Sequence, residues 1–349
     1  MTRQVKVKEL LIGGGAPVSV QSMTNTDTAD SEATLSQIRA LKTAGADLVR
    51  ISVYNEACAN AVRTIVDQSP LPLVADIHFD YKLAIAAVEN GIHKLRINPG
   101  NIGGEDKVHA LADCLKQHHI PVRIGVNSGS VEKDILQKYG GPTPEGMVES
   151  ALNHARLLEK YGFYDIVLSM KASNVRDTVL AYRIAHDSCE YPLHVGVTEA
   201  GLPEQGRIKS AIGIGTLLLE GIGDTIRVSL TGDPCLEPPA GIEILEDVGL
   251  RTNAVQYISC PTCGRTCIDV PGIMSKVQEE LKGVKIPFKI AVMGCVVNGP
   301  GEAREADIGI CGGGNGNGLL IRKGQIPRKI SGDLAQILIA EIKQMIREK

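Results

Sequence analysis

The sequence lacks an apolar run long enough to cross a membrane, and it has no global excess of charge. No stretch approaches the roughly 18 consecutive apolar residues of a membrane span, and no apolar signal-peptide segment follows the first residues. The formal charge of -3 over 349 residues is near balance, so the total charge indicates neither nucleic-acid nor membrane binding. These absences predict a cytoplasmic globular protein.

The sequence also lacks the features of a disulfide-stapled or disordered chain. Its nine cysteines are an odd number, which suits a reducing compartment where thiols bind metals better than it suits a disulfide framework. The composition, with 43% hydrophobic and 22% charged residues, excludes disorder and fibrous repeats. The length is typical of about two domains.

Short β-branched segments alternate with amphipathic segments through the first 250 residues. Eight such alternations predict a TIM (βα)8 barrel, with a doubly wound sheet as the alternative because alternation alone does not show closure. The predicted strands are residues 18–23, 47–53, 71–77, 94–98, 121–127, 165–170, 193–198 and 225–230.

In four of the predicted strands an arginine shares a strand face with a polar residue, which lies two positions later or, for Arg123, four positions later at Asn127. Lys171 ends another strand. Ordinary barrel interiors are apolar, so these cations predict a basic cavity at the mouth, with a diphosphate as the best guess for its ligand. The alternative is that they form structural ion pairs, for example with Asp76, Asp165 or Glu199. The arginines are Arg50, Arg96, Arg123 and Arg227.

Two further strands end in candidate acid/base residues. His78 follows Asp76-Ile77, and Glu199 lies in Thr198-Glu199-Ala200-Gly201. At the carboxyl ends of barrel strands such residues are typical proton donors or acceptors, although each alone is equally typical of a structural hydrogen-bonding group.

A boundary near residue 254 divides the chain into a predicted barrel, 1–253, and a small α+β domain, 254–349. The second domain has the cysteine spacing C-x2-C-x3-C-x27-C-x15-C. Four of these thiols could bind a structural zinc ion. Pro261 after Cys260 and the glycine-rich loop around Cys295 favour an iron–sulfur cluster instead. The spacing leaves the fourth ligand open among Cys267, Cys311 and Glu302.

These motifs together resemble the 4-hydroxy-3-methylbut-2-en-1-yl diphosphate synthases, in their two-domain bacterial form. The resemblance covers essentially the whole chain, and its most specific parts are residues 258–265 and 294–302. Further matching motifs are Val49-Arg50, residues 75–78, 95–101, 123–127, 169–171, 198–201 and 227–230.

The resemblance implies a TIM barrel followed by a small α+β iron–sulfur domain similar to the sulfite-reductase type. It implies a [4Fe-4S] cluster held by Cys260, Cys263, Cys295 and Glu302. The implied substrate is 2-C-methyl-D-erythritol 2,4-cyclodiphosphate, with Glu199 as an acid/base residue. The residues implied around the substrate are Arg50, His78, Arg96, Arg123, Lys171, Arg227, Ser229 and Asn298.

The family's reaction is a reductive ring opening, with two electrons delivered from flavodoxin or ferredoxin. The resemblance also implies a head-to-tail homodimer. One competing hypothesis is a zinc-stapled barrel with aldolase-like chemistry on a phosphorylated substrate. Another is a nucleic-acid-binding zinc ribbon, which is disfavoured because the second domain lacks a basic face with interleaved aromatics.

Overall fold

The computed structural model describes residues 1–77, 80–97, 103–252 and 255–348. The chain divides into two compact units, Met1–Leu250 and Arg251–Lys349. Within the described ranges, none of the helices combines the length and the apolarity that crossing a bilayer requires.

The first unit contains an eight-stranded parallel sheet that closes on itself. Its strands pair in the order β8-β7-β6-β5-β4-β3-β10-β9. A parallel bridge between Leu168 and Leu193 joins the two end strands, which makes the sheet a barrel and excludes the doubly wound alternative. The strands are β3 (Ser19–Met23), β4 (Leu48–Ser52), β5 (Leu73–Ile77), β6 (Lys94–Ile97), β7 (Val122–Asn127), β8 (Ile166–Lys171), β9 (His194–Val195) and β10 (Thr225–Ile226).

Helices follow the strands and cover the barrel with an apolar layer. The helices begin at residue types that favour helix starts. The Asp30 side chain accepts the Ala33 N–H at 3.0 Å at the first helix, and Pro144 is the first residue of another helix. The helices are α1 (Ser31–Thr43), α2 (Glu56–Gln68), α3 (Tyr81–Glu89), α4 (Glu105–His118), α5 (Lys133–Tyr139), α6 (Pro144–Lys160), α7 (Val175–Ser188), α8 (Pro203–Leu219) and α9 (Glu237–Asp247).

Strands β9 and β10 are shorter than the sequence predicts. The predicted strands 193–198 and 225–230 contract to two residues each. Gly196 lies so close to the neighbouring backbone that a Cβ there would be 2.5 Å from the Arg227 carbonyl oxygen. A single hydrogen bond, Arg227 N–H to Val195 O at 2.9 Å, continues the pairing beyond the strands.

An N-terminal hairpin packs against the inward-facing apolar residues of the barrel. It consists of β1 (Gln4–Val7) and β2 (Leu10–Gly13), which pair antiparallel. The apolar cluster that they form with the barrel strands is called the floor here, and it closes the barrel end opposite the carboxyl ends of the strands. Its buried members are Val5, Val7, Ile12, Leu48, Val74 and Val167.

The second unit is an α+β domain built on a five-stranded sheet in the order β11-β12-β13-β14-β15. The first three strands are parallel and the last two pairings are antiparallel. Its elements are β11 (Val255–Ser259), α10 (Val270–Glu280), β12 (Phe288–Met293), α11 (Gly299–Ala303), β13 (Ile308–Gly314), β14 (Asn317–Arg322), β15 (Arg328–Ser331) and α12 (Leu334–Arg347).

Two apolar clusters hold this domain together. Helices α10 and α12 pack with the sheet in one cluster, and α11 contributes Ala303 to a second with Met293 and Cys311. Strand β15 and helix α11 were not predicted. Strand β15 has the mostly polar sequence RKIS, and α11 is a five-residue helix inside a loop rich in glycine and proline. Neither element therefore has a hydrophobic periodicity that identifies it in the sequence.

Candidate active site and candidate metal centre

A cavity of about 120 Å³ lies at the carboxyl ends of the barrel strands. Side chains two apart on a strand share a face, and this places the arginines predicted from the sequence around one space. Among the described residues, the lining contains five cations and one carboxylate: Arg50, Asp76, Arg96, Arg123, Asn127, Lys171, Val197, Thr198, Arg227 and Ser229.

Asp76 is the carboxylate within this lining. Its oxygens lie 2.9 Å from Arg96 Nη1 and 3.5 Å from Arg50 Nε. Burial lowers the pKa of Arg50 to about 10, and Asp76 opposes that shift. Gly125 makes room for this arrangement, because a Cβ there would be 2.7 Å from Arg96 Nε. Asp76 therefore supplies negative charge beside the arginines, as predicted, and shares it between Arg50 and Arg96.

Arg227 is held from behind by Glu237, at the start of α9. Its Nε and Nη2 donate to the two carboxylate oxygens at 3.2 and 3.0 Å. Glu237 is 2% exposed and also accepts from Ser22 Oγ at 2.9 Å. Glu237 was not predicted from the sequence, because this residue lies beyond the last strand and only the folded barrel brings it to Arg227.

Arg123 and Lys171 are cations in this lining whose charges no described carboxylate neutralises directly. Arg123 Nη1 donates to Ser169 Oγ at 2.8 Å. Lys171 has no hydrogen bond or ion pair to a described residue, and Gly196 gives its Nζ space. Burial, and then the neighbouring arginines, lower the pKa of both groups well below their usual ranges. The cavity is consequently suited to an anion that supplies the missing negative charge.

Glu199 is not part of the cavity lining. It is exposed and adopts a φ of 51°, in the left-handed region that glutamate rarely occupies. Such strain at the end of a barrel strand is typical of functional positions. His78 lies outside the described residues.

Thr198 and Asn127 line the cavity but were not among the predicted binding residues. Both follow the alternation that identified the arginines: Asn127 is four residues after Arg123, and Thr198 is two after Gly196. The alternation in the sequence places Asn127 on the same face as Arg123, whereas Thr198 enters the sequence patterns only as the neighbour of Glu199.

A second cavity, of about 200 Å³, lies in the α+β domain. All four predicted metal ligands line it, together with the predicted ligand-positioning residue Asn298. Among the described residues, no three Cys, His, Asp or Glu side chains converge closely enough to hold a single metal ion. Three thiols and a carboxylate around a wider space fit a polynuclear iron–sulfur cluster better than one zinc ion. The predicted ligands are Cys260, Cys263, Cys295 and Glu302.

Backbone amides support the thiols of this cavity. The Gly294 N–H donates to Cys260 Sγ at 3.0 Å. The pKa of Cys263 is lowered, chiefly by hydrogen bonding from the Arg265 backbone and then from its side chain. These donors favour thiolates, the form in which cysteine binds metal.

The two remaining cysteines of the domain are absent from the described lining. Cys311 is fully buried in the apolar cluster beside α11, and burial raises its pKa to about 12. Cys267 donates its thiol proton to the Gly294 carbonyl at 3.3 Å. Their positions favour Glu302 over either thiol as the fourth ligand.

The fold and these two sites define a two-domain TIM-barrel enzyme with a cysteine-lined second domain. The profile of the GcpE TIM-barrel domain matches residues 2–242, and that of the GcpE protein C-terminal domain matches residues 256–348. The chain belongs to the GcpE family, an oxidoreductase family of isoprenoid biosynthesis, which confirms the resemblance identified from the motifs.

Two relatives are similar over almost their whole lengths. The 4-hydroxy-3-methylbut-2-en-1-yl diphosphate synthase (flavodoxin) of Clostridium perfringens is 58% identical over 339 residues, 97% of each chain. That of Caldanaerobacter subterraneus is 55% identical over 350 residues, covering 100% of this chain and 98% of the relative.

The barrel also resembles a solved structure of different sequence. Dihydropteroate synthase from Yersinia pestis superposes with a TM-score of 0.52 at 15% identity, covering 71% of this chain and 98% of that one. At this identity the likeness shows a shared fold alone.

Proposed function

We propose that this chain catalyses the reaction for which its relatives are named, in their flavodoxin-dependent form. 2-C-methyl-D-erythritol 2,4-cyclodiphosphate would be opened reductively to (E)-4-hydroxy-3-methylbut-2-enyl diphosphate. The observation that carries this proposal is the mouth cavity, where five cations face one carboxylate. Such a surplus suits a compact polyanion, and planar guanidinium groups suit the oxygens of a diphosphate.

The barrel residues would bind the diphosphate and stabilise the negative charge that develops on it as the ring opens. Arg123 and Lys171, whose charges no described carboxylate neutralises directly, would supply positive charge to the diphosphate. Arg227, oriented by Glu237, and Ser229 would hold the opposite side of the same group. His78 and Asn298 stay predicted substrate contacts.

The cysteine cavity would hold the redox group, with Cys260, Cys263, Cys295 and Glu302 as ligands of a [4Fe-4S] cluster. When bound, such a cluster supplies electrons one at a time. Flavodoxin, which the relatives' names include, or ferredoxin would be the external donor. A carboxylate binds iron of this kind less tightly than a thiolate does, so Glu302 would be the most weakly held of the four residues that hold the cluster.

The reaction balances with two electrons and one proton, because the oxygen lost from the substrate leaves as water. Glu199 would donate this proton. Its left-handed backbone lies in the loop that follows β9, a position where strain is typical of functional residues. The proposal also includes a cytoplasmic location and a head-to-tail homodimer.

Anaerobic purification and turnover test this function. The protein should contain iron and acid-labile sulfide, and it should convert the cyclodiphosphate when reduced flavodoxin is supplied. Mass spectrometry of the linear diphosphate is the readout. A colourless protein that contains zinc but no iron, and that leaves the cyclodiphosphate unchanged, would contradict the proposal.

A further inference from the structure

A second group of polar side chains lies inside the barrel, closer to the floor than the mouth cavity. On β10, Thr225 pairs with Ser19 of β3 on one side and with His194 of β9 on the other. Three polar residues therefore form one row across adjacent strands. Together with three more, all 0 to 2% exposed, they form what we call the inner layer: Ser19, Gln21, Lys94, Arg123, His194 and Thr225.

The strand alternation shows that these side chains face the barrel interior. Lys94 lies two residues before Arg96 on β6, and Thr225 lies two residues before Arg227. Side chains two apart on a strand share a face. Because Arg96 and Arg227 line the mouth cavity, Lys94 and Thr225 point into the same barrel, one step nearer the floor.

The inner layer has polar atoms without hydrogen-bond partners among the described residues. Burying such atoms without partners is unfavourable, and ordered water is the usual solution in polar cavities. The atoms are Ser19 Oγ, both amide atoms of Gln21, Lys94 Nζ, Arg123 Nε and Nη2, both ring nitrogens of His194, and Thr225 Oγ1. Lys94 and His194 therefore lie in a buried polar layer whose side chains lack hydrogen-bond partners among the described residues.

The environment of this layer is apolar below and cationic above. The floor lies beneath it, and Val74 of the floor pairs directly with Lys94 in the sheet. Arg123 belongs both to the inner layer and to the mouth lining. The charged or titratable groups near Lys94 and His194 are Arg50, Asp76, Arg96, Arg123, Lys171, Tyr182, Arg227 and Glu237.

Both carboxylates in that set are already paired with arginines. Burial, and then the charge of Arg123, lower the pKa of Lys94. Burial lowers the pKa of His194 as well, followed by the charges of Lys171 and Arg123. Both shifts favour the neutral forms of Lys94 and His194.

We propose that Lys94 and His194 together take up a proton when a diphosphate binds in the mouth cavity above them. Burial is the first cause that opposes protonation of Lys94 and His194, and the anion offsets the second, which is the charge of Arg123 for Lys94 and the charges of Lys171 and Arg123 for His194. The added positive charge then strengthens anion binding, so affinity and proton uptake are linked. The inference rests on the proposed function only in identifying the anion as the substrate's diphosphate.

Calorimetry of the full-length protein measures this uptake. The cyclodiphosphate is titrated at one pH into protein in two buffers of different ionisation enthalpy, and inorganic pyrophosphate is titrated in parallel. The difference in heat gives the protons exchanged for each ligand bound. We expect net uptake approaching roughly one proton in the wild type.

Two substitutions locate the acceptor. His194→Gln and Lys94→Met retain size and remove the titrating group, so at least one of them should lose most of the uptake while still binding the anion. His118→Gln and Lys209→Met change exposed residues of the same types and should leave the proton count unchanged.

The outcomes separate this inference from the proposed function. Anion binding without proton uptake in the wild type, or uptake that persists in both inner-layer variants, would overturn the inference. If pyrophosphate binds with uptake and the cyclodiphosphate does not bind, the inference stands and the substrate assignment fails. If neither anion binds, both fail.

Discussion

The ion pair between Glu237 and Arg227 offers a direct test of how the mouth cavity is built. Glu237→Gln keeps the shape of the side chain and removes its charge. The carboxylate now accepts from Ser22 Oγ, from Arg227 Nε and Nη2, and from the Leu230 N–H, at 2.9 to 3.2 Å. In the variant, an NH2 group replaces one acceptor and faces these donors.

The size of the effect follows from burial. Removing one partner of a buried ion pair costs roughly 3–5 kcal/mol, because the other charge is left uncompensated. The Arg227 side chain is 15% exposed, so water can solvate part of its charge. We therefore expect the lower end, about 3 kcal/mol of unfolding free energy.

Glu243→Gln is the matched control in the same helix. Glu243 pairs with Arg207, and the two side chains are 57% and 51% exposed. Exposed pairs contribute roughly 1 kcal/mol or less, so the control should unfold close to the wild type.

Urea unfolding followed by far-ultraviolet circular dichroism compares the three proteins, with and without inorganic pyrophosphate. Pyrophosphate should stabilise Glu237→Gln more than the wild type, because it supplies the negative charge that Arg227 has lost. If Glu237→Gln is no less stable than Glu243→Gln, or if pyrophosphate stabilises it less than the wild type, the assigned role of Glu237 is wrong.

Three further predictions concern the cavities and the strand end. Glu302→Ala should lower the iron content and abolish turnover, whereas Cys267→Ser should retain both; iron analysis showing the reverse pattern would reassign the fourth ligand. Glu199→Asn should raise the unfolding free energy by up to roughly 1 kcal/mol, since asparagine tolerates positive φ, and it should abolish turnover. A variant less stable than the wild type would show that the positive φ of Glu199 does not destabilise the protein in this way. Because the pKa of Lys171 is lowered, this side chain loses its charge as pH rises through values below the ordinary lysine range, and the affinity for pyrophosphate should fall over those values. Lys171→Arg should flatten this pH dependence in calorimetric titrations. Identical pH profiles for the variant and the wild type would contradict the prediction.

The barrel and its basic mouth were predictable because strands impose a simple two-residue periodicity. Arg50, Arg96, Arg123 and Arg227 each stand on a recognisable β-branched segment, and the periodicity alone places them on one face. The cysteine spacing likewise predicted a metal site. Without the family motifs it did not decide between Glu302 and another thiol of the second domain, Cys267 or Cys311, because spacing does not show which side chains the fold buries.

Other parts of the site depend on contacts between residues distant in sequence. Glu237 neutralises Arg227 only after α9 has packed on the barrel, and no local sequence pattern predicts that ion pair. Lys94 and His194 follow the same alternation as the arginines, but their lack of partners appears only when the surrounding side chains are in place. The closing bridge between Leu168 and Leu193 is a tertiary feature of the same kind.

The floor has a consequence for how the chain folds during synthesis. Val5, Val7 and Ile12 are synthesised long before one of their partners, Val167. The hairpin must wait, with its apolar face uncovered, until more than half of the barrel has been made. Contacts of such long sequence separation form slowly. The hairpin, although it is made before the barrel strands, would therefore be among the last parts of the barrel to reach its final place.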